Sequence, residues 1–308
     1  MDQISQLVEE AKKKNAGRIM LQLPAGLKMK AAEIVGAMRQ EKIDVVIANN
    51  PCYGACDLAD KEAKQMNCDL LIHVGHNKFY VDFPTEVPVV YFPWLINTQI
   101  DANGVSSLLS NVDFSPLKEK RIGLLTTIQH TTLLNQVKEK LEENGYEAVI
   151  GGQILGCWTS NAEKIEGKVD AFLYVGSGKF HPLAVKSKKV YSLDIERQKI
   201  EEVDAMHLEK RRLAGIYNAK DAKTFAILVT TKKGQHQLIG KAEEIKQKLE
   251  KNHKAAFIVT MNEISDSAML GIKADAFINT ACPRIIEDHF SKPIVNASDI
   301  DEVLGGSS

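Results

Sequence analysis

Short apolar runs alternate with amphipathic stretches along the whole chain of 308 residues. The short runs are continuously apolar, which is typical of parallel strands that are covered by helices on both faces. The stretches between them repeat apolar positions at the helical period, as in LLNQVKEKLEENG (residues 133–145). The pattern therefore predicts an α/β protein with mainly parallel sheets.

The same succession of elements occurs three times. Three similar strands, CDLLIHVGHNKF, VDAFLYVGSGKF and ADAFINTACPRI, carry Asp69, Asp170 and Asp275, at intervals of 101 (170 − 69) and 105 (275 − 170) residues. A strand, a helical pattern and a second strand precede each of them, and one more strand follows. Each repeat is thus predicted to run strand–helix–strand–helix–strand–strand.

The repeats predict three small α/β domains arranged around a central site. Residues 1–108 form the first domain with Cys56, residues 109–210 the second with Cys157, and residues 211–308 the third with Cys282. The boundaries are predicted near 105–118 and 205–222, and the second boundary reads as a charged helix.

Composition and charge exclude several classes of protein. The net charge is −1 and no broad basic surface is indicated, which argues against direct nucleic-acid binding. The first residues, MDQISQLVEEAKKK, predict a charged amphipathic helix rather than a secretory signal, and no apolar run is long enough to cross a membrane. We therefore expect a soluble cytoplasmic protein, in which five cysteines do not form a disulfide framework.

One cysteine of each repeat follows the carboxyl end of a predicted strand. Cys56 follows VVIANNPCYGA, Cys157 follows AVIGGQILG, and Cys282 follows AFINTA. Because ligands of open parallel sheets bind at this edge, we predict that the three thiols belong to one shared site. Cys68 and Cys52 are interpreted as packed thiols, although Cys52 and Cys56 form a CxxxC motif.

Two metal centres are compatible with three such thiolates. They could bind zinc together with a fourth ligand, or three irons of a 4Fe–4S cluster with one iron left open to substrate. Structural zinc sites usually contain close CxxC pairs, and this sequence has none. Soft ligation by widely separated thiolates favours the cluster.

Polar and glycine residues follow the same predicted strand ends. The first strands of repeats two and three lead into Gln129 and Gln235, each followed by histidine, and third strands end in glycine-containing loops. Helix starts and glycine loops can bind the carboxylate and amino groups of a small zwitterion. The predicted substrate-binding residues are Gly75, His76, Gln129, Gly176, Ser177, Gln235 and Arg284. Helix capping, turn formation and surface ion pairing are the alternative roles.

Three motifs carry a resemblance to a known family. PCYGACDLAD, LGCWTSNAEKI and NTACPRI resemble, in this order, the diphthamide-synthesis radical enzymes, the archaeal 2-(3-amino-3-carboxypropyl)histidine synthases. The resemblance covers nearly the whole chain. It implies three similar domains that meet at a 4Fe–4S cluster held by Cys56, Cys157 and Cys282, with no ligand role for Cys52.

The resemblance also implies a reaction. The open iron of the reduced cluster would bind S-adenosylmethionine, and the bond between its sulfur and the γ-carbon of the methionine part would break. The 3-amino-3-carboxypropyl radical would add to imidazole C2 of one histidine of translation elongation factor 2, with methylthioadenosine as by-product. No side chain is assigned a catalytic role. A homodimer and an electron donor are implied as well.

Two other functions remain compatible with the residues. A quinolinate synthase-like hydro-lyase is similar in length, has three pseudo-symmetric α/β domains and binds a 4Fe–4S cluster through one cysteine per domain. A non-catalytic three-domain binding protein with buried thiols is the alternative outside enzymes. The wording of YGACDLAD and NTACPRI favours the diphthamide enzymes over both.

Overall fold

The structure is a computed structural model that describes residues 2–95, 109 and 111–305, without the side chains of residues 236–239. It contains three mostly parallel sheets, one for each predicted repeat. The first repeat is formed by α1 (Gln3–Lys13), β1 (Arg18–Gln22), α2 (Ala31–Gln40), β2 (Asp44–Ala48), α3 (Asp60–Gln65), β3 (Leu70–Val74) and β4 (Val89–Phe92). Its strands are parallel in the order β2-β1-β3-β4.

The second repeat has the same order with one additional strand. It is formed by β5 (Arg121–Thr126), α4 (Leu134–Glu143), β6 (Glu147–Gln153), α5 (Ser160–Glu163), β7 (Ala171–Val175), β8 (Lys189–Asp194) and β9 (Lys199–Glu202). The order is β6-β5-β7-β8-β9, in which β9 pairs antiparallel with β8. The remaining pairs of this sheet are parallel.

The third repeat returns to four parallel strands in the order β11-β10-β12-β13. It is formed by α6 (Met206–Ala219), β10 (Thr224–Thr230), α7 (Ile239–Lys251), β11 (Ala255–Met261), β12 (Ala276–Asn279), β13 (Ile294–Asn296) and α8 (Ile300–Val303). The α/β class with mainly parallel sheets is confirmed.

The predicted charged helix at the second boundary is wrong in its first part. The chain first forms the hairpin strand β9, and α6 begins only at Met206. Asp194 Oδ1 accepts hydrogen bonds from the backbone N–H groups of Glu196 and Arg197, which turns the chain back after β8. Ile200 is buried where β9 pairs with β8. The charged residues around it made the alternating pattern of this short strand hard to recognise in the sequence.

The helix predicted between the second and third strands of the third repeat is also reduced. Only a three-residue 3-10 turn, Ser267–Met269, forms there. Ser265 Oγ accepts a hydrogen bond from the backbone of Ala268, and Gly271 adopts a positive φ of 86° two residues after the turn. The serine hydrogen bond closes the start of the turn, and the left-handed backbone of Gly271 prevents it from continuing as a helix.

The three repeated aspartates have a common structural role. Asp69 Oδ2 accepts hydrogen bonds from the N–H groups of Gly17 and Arg18, and Asp275 Oδ2 accepts from Lys223 and Thr224. Asp170 binds the backbone and guanidinium of Arg121 in the same way. Each carboxylate thus fixes the start of the central strand pair of its sheet.

Contacts divide the chain into two compact units. Unit 1 contains the first two sheets and consists of Met1–Gly54, Ala59–Lys78 and Thr85–Asp204. Unit 2 contains the third sheet and consists of Ala55–Leu58, Phe79–Pro84 and Ala205–Ser308. The boundaries of three domains at 108/109 and 210/211 stay a prediction, and residues 96–108 and 110 near the first boundary lie outside the described residues. No helix in the described ranges combines the length and apolarity needed to span a bilayer.

Candidate metal centre and its polar surroundings

Cys56 is held against the third sheet by the loop that follows β10. The backbone N–H of Gly234 donates a hydrogen bond of 3.1 Å to the Cys56 carbonyl, and Gln235 Nε2 donates to Cys56 Sγ at 3.6 Å. A Cβ added to Gly234 would lie 2.4 Å from the Cα of Cys56. Glycine is therefore required for this close approach of two backbones.

A buried ion pair stabilises the same contact. Lys232 Nζ lies 2.8 Å from Asp57 Oδ2 and 2.6 Å from Glu263 Oε1. The side chains of Lys232 and Asp57 are only 5% and 12% exposed. Burial opposes the lysine charge, yet the hydrogen bonds to Asp57 and Glu263 leave the pKa of Lys232 raised. The ammonium group thus fixes the residue that follows Cys56.

Cys282 lies just beyond β12, at the position that caps the 3-10 turn Pro283–Glu287. Asn279 Nδ2 donates to the Cys282 carbonyl at 2.8 Å, and Asn279 Oδ1 accepts from the N–H of Ala281 at 3.0 Å. Because Asn279 is itself 2% exposed, this loop is anchored from inside the sheet. The structure thus has Cys282 at the carboxyl edge of a strand, as the sequence predicted.

The two thiols of unit 2 are electrostatically coupled. Burial raises the pKa of the Cys56 thiol, and the charge of a Cys282 thiolate raises it further, while the Gln235 hydrogen bond lowers it. Burial likewise raises the pKa of Cys282. Metal ligation requires thiolates, so a cation that binds these sulfurs must displace their protons. Two partly buried sulfurs that interact electrostatically within one unit are a suitable pair of soft metal ligands.

Cys157 belongs to unit 1 and is exposed. It lies at the tip of a tight turn that is closed by reciprocal backbone hydrogen bonds between Leu155 and Trp158. Gly156 beside it packs so closely on the Phe180 ring that a Cβ would come within 2.2 Å. The turn after β6 thus presents the thiol outward from a fixed backbone.

Five of the seven predicted substrate-binding residues belong to unit 1. Gly75 has a φ of 89° directly after β3, and its carbonyl accepts a hydrogen bond from Gln129 Nε2. His76 Nδ1 lies 3.0 Å from His73 Nε2. Gly176 follows β7 with a φ of 150°, and a Cβ there would touch His130 at 3.1 Å. Ser177 next to it is exposed.

The other two predicted substrate-binding residues lie in unit 2. Gln235 contacts Cys56, as described above, and His236 lies outside the described side chains. Arg284 Nη2 is 2.7 Å from Glu287 Oε2, and its Nε also contacts that carboxylate. A substrate carboxylate would therefore have to share or replace Glu287 at this guanidinium. The role of all seven residues in substrate binding stays a prediction.

Sequence reasoning missed the residues that support Cys56. Asp57 and Lys232 are 175 residues apart in the sequence. In addition, charged residues in glycine-containing segments are usually interpreted as solvent-exposed loop residues. One feature of the sequence indicated such a contact, namely the basic pair Lys232–Lys233 shortly after a buried strand. A buried lysine without an acidic partner would be costly in free energy, so a partner was to be expected. Its partner could not be identified without the fold.

Comparison with known proteins agrees with this architecture. The model of the diphthamide synthesis protein family matches residues 23–308. The chain therefore belongs to this family of α/β proteins, and the resemblance seen in its motifs is confirmed.

Individual relatives define the group more closely. The chain is 34% identical to the 2-(3-amino-3-carboxypropyl)histidine synthase of Pyrococcus horikoshii, over 98% of this chain and 90% of that protein. The synthase of Methanocaldococcus jannaschii is 28% identical, over 96% and 86% of the two chains. The crystal structure of Dph2 from P. horikoshii with a 4Fe–4S cluster is similar with a TM-score of 0.86 and 33% identity, over 98% of this chain and 90% of that one. The prediction of a transferase is confirmed by these relatives.

Proposed function

We propose that this protein carries out the first step of diphthamide biosynthesis. It transfers the 3-amino-3-carboxypropyl group of S-adenosylmethionine to imidazole C2 of a histidine of translation elongation factor 2, in the cytoplasm, and releases methylthioadenosine. The observation that carries the proposal is the coupled thiol pair Cys56 and Cys282 in unit 2, in a chain 33% identical to a protein crystallised with a 4Fe–4S cluster.

Cys56, Cys157 and Cys282 are the residues that would hold the cluster. Their chemistry fits, because cluster irons take thiolate ligands and three thiolates leave one iron for substrate. When bound, the cluster supplies the electron that cleaves the bond between sulfur and the γ-carbon of S-adenosylmethionine. An external electron donor must reduce it.

The surrounding side chains would tune and orient this centre. Gln235 donates its hydrogen bond to the Cys56 sulfur, and donors to cluster sulfurs stabilise the negative charge of the reduced state. Lys232 acts through Asp57 and Gly234 acts through its backbone contact, and both keep Cys56 in place. These are positioning roles.

The substrate amino and carboxylate groups would be bound by residues of the strand ends. The candidates are Gly75, His76, Gln129, Gly176, Ser177, Gln235 and Arg284. Arg284 is the candidate for the carboxylate because a guanidinium binds it in bidentate fashion, as Arg284 binds Glu287. The active form is a homodimer in this proposal.

The test is an anaerobic purification followed by iron and sulfide analysis. The protein is reduced with dithionite, mixed with S-adenosylmethionine and examined for methylthioadenosine by chromatography. About four irons per chain and formation of methylthioadenosine are expected. Transfer is then measured with elongation factor 2 and with a variant that lacks its target histidine.

Two results would contradict the proposal. A full cluster without cleavage of S-adenosylmethionine would favour the hydro-lyase, and a colourless protein without iron would favour a non-catalytic binding protein. Cys68→Ala is the matched control, because this thiol is buried two residues before β3 and its loss should leave both iron and cleavage unchanged.

A further inference from the structure

A second group of potential metal-ligating side chains, which includes none of the three predicted cluster cysteines, lies in unit 1. Cys52 follows β2, His73 is in β3, and His76 follows the end of that strand. One ligand atom of each side chain lies within 4.8 Å of the other two. The rings of His73 and His76 are tilted by 36° with centroids 5.1 Å apart.

The orientation of His73 is fixed by a neighbouring amide. His73 is completely buried, and its Nδ1 lies 2.9 Å from Gln22 Oε1. The same amide oxygen accepts the backbone N–H of Ala59 at 3.2 Å, which identifies it as the acceptor. His73 Nδ1 therefore carries the proton, and its Nε2 presents a lone pair toward His76. Histidine ligands of metals usually have such a partner on the second nitrogen.

The position of His76 is set by the glycine before it. The positive φ of Gly75 turns the chain at the end of β3. A Cβ added to Gly75 would lie 3.0 Å from the Pro24 side chain. This turn brings His76 Nδ1 to 3.0 Å from His73 Nε2. Two nitrogens bound tetrahedrally to one ion at about 2.0–2.1 Å are roughly 3.3 Å apart. The two imidazoles would thus need to separate by only a few tenths of an ångström.

We propose that Cys52, His73 and His76 bind one zinc-class divalent cation, with a fourth coordination position open to water. One thiolate and two imidazoles suit zinc or cobalt rather than magnesium or calcium. Three protein ligands with water in the open position are the arrangement of catalytic zinc sites. Binding releases the thiol proton of Cys52, while the proton of His76 moves from Nδ1 to Nε2, so one proton is released per ion.

Zinc binding to the anaerobic, cluster-loaded chain tests the proposal. The protein is equilibrated with zinc and dialysed, and zinc and iron are counted by mass spectrometry. About one zinc per chain is expected in addition to the cluster iron. Cys52→Ser should lose the zinc and keep the iron, whereas Cys68→Ser should keep both. Gln22→Leu, which removes the acceptor shared by His73 Nδ1 and the Ala59 N–H, should weaken zinc binding about 10- to 100-fold.

Cobalt gives a spectroscopic check without interference from the cluster. The full-length variant with Cys56, Cys157 and Cys282 all replaced by alanine is titrated with Co²⁺. An absorption band from thiolate to cobalt charge transfer is expected, and it should vanish when Cys52→Ser is added. Circular dichroism of each variant verifies that it is folded.

Two outcomes would overturn the site. One is equal zinc content in Cys52→Ser, His76→Gln and the parent protein. The other is zinc that binds only as iron is lost, because this would place the cation on the cluster cysteines. Both outcomes are judged from metal content without measuring cleavage of S-adenosylmethionine, so the proposed function and this site can fail independently.

Discussion

Cys52 and Cys56 are separated by three residues, but they have different surroundings. Cys52 lies near the end of its segment of unit 1, beside two neutral imidazoles, whereas Cys56 belongs to unit 2 and is held by Gln235 and by the Lys232–Asp57 pair. The division of the chain falls between Gly54 and Ala55. A CxxxC spacing therefore does not define one site. The sheet against which each thiol packs determines its chemistry.

The largest effect that can test this difference is loss of the cluster. Cys56→Ala, Cys157→Ala or Cys282→Ala should each abolish the cluster absorption and the formation of methylthioadenosine, because two cysteines leave two irons without protein ligands. Cys52→Ala should keep both. The measurement is iron content and visible absorption after anaerobic reconstitution.

The reverse result would identify an error in the comparison. Loss of the cluster in Cys52→Ala together with retention in Cys56→Ala would mean that the wrong member of the pair is assigned to the cluster. A full cluster in any one of the three variants would exclude a cluster that is held by these three cysteines.

The next effect concerns the ion pair that supports Cys56. Lys232→Met should lower the free energy of unfolding of the cluster-free protein by about 3 kcal/mol, because it leaves the carboxylate of Asp57 buried without its cation. Urea unfolding measures this loss. The double variant Lys232→Met/Asp57→Asn should recover part of it, since no charge then remains unpaired.

A surface ion pair provides the control for that measurement. Lys241 lies 3.2 Å from Glu244, and both side chains are at least half exposed. Lys241→Met should change the stability by less than about 0.5 kcal/mol. If Lys232→Met had an equally small effect, the buried pair would not be what holds the Cys56 loop.

Sequence reasoning reached the fold and the strand-edge position of the cysteines, because both follow from local patterns. Continuous apolar runs predict buried parallel strands, and a residue that directly follows such a run lies at the carboxyl edge of the sheet. The structure has the same order of the first four strands in all three sheets, in agreement with the repeat. Cys282 could therefore be placed after β12 without the structure.

The supporting residues could not be found in the same way, because their partners are distant in sequence. Gln235 was predicted to lie in a polar pocket, but its contact with the Cys56 sulfur spans 179 residues. The interpretation of Cys52 as a packed thiol could not take His73 and His76 into account. Their closeness depends on the turn at Gly75 and on the order of β1 and β3 in the sheet.

A smaller effect is expected from the backbone contact at Gly234. Gly234→Ala places a methyl group 2.4 Å from the Cys56 Cα, so one of the two loops must move. We expect a loss of about 2 kcal/mol in unfolding free energy, in the range of other overpacked sites, and lower iron content. Gly240→Ala is the matched control, because nothing lies within 4 Å of its Cβ position. Equal iron content in both variants would contradict the close approach.

The smallest effect is a pH dependence of stability that separates the two regions. In the metal-free protein, burial lowers the pKa of His73 to about 3 and that of His76 to about 4. The unfolded chain takes up protons near the ordinary value of 6.5, whereas the native state does not. Above pH 6.5 the two histidines therefore do not reduce the free energy of unfolding. As the pH is lowered from 6.5 toward 4, this free energy falls by about 1.4 kcal/mol per pH unit for each histidine. Relative to His76→Gln, the parent protein should lose about 1 kcal/mol more between pH 7.5 and 5.5.

The alkaline limb of the same titration has the opposite sign and includes the two thiols of the other region. Burial raises the pKa of Cys56 and Cys282 above the ordinary thiol value of 9.0, so the unfolded chain loses these protons first and stability falls as the pH rises through that value. His76→Gln should make the acid limb less steep, since His73 still contributes to it, and should leave the alkaline limb unchanged. Cys282→Ala should make the alkaline limb less steep and leave the acid limb unchanged. The change caused by each variant therefore reports on the imidazoles of unit 1 or on the thiols of unit 2. If His76→Gln left the acid limb unchanged, His76 would take up its proton in the native state as readily as in the unfolded chain, and below pH 6.5 a cation would have to displace that proton to bind.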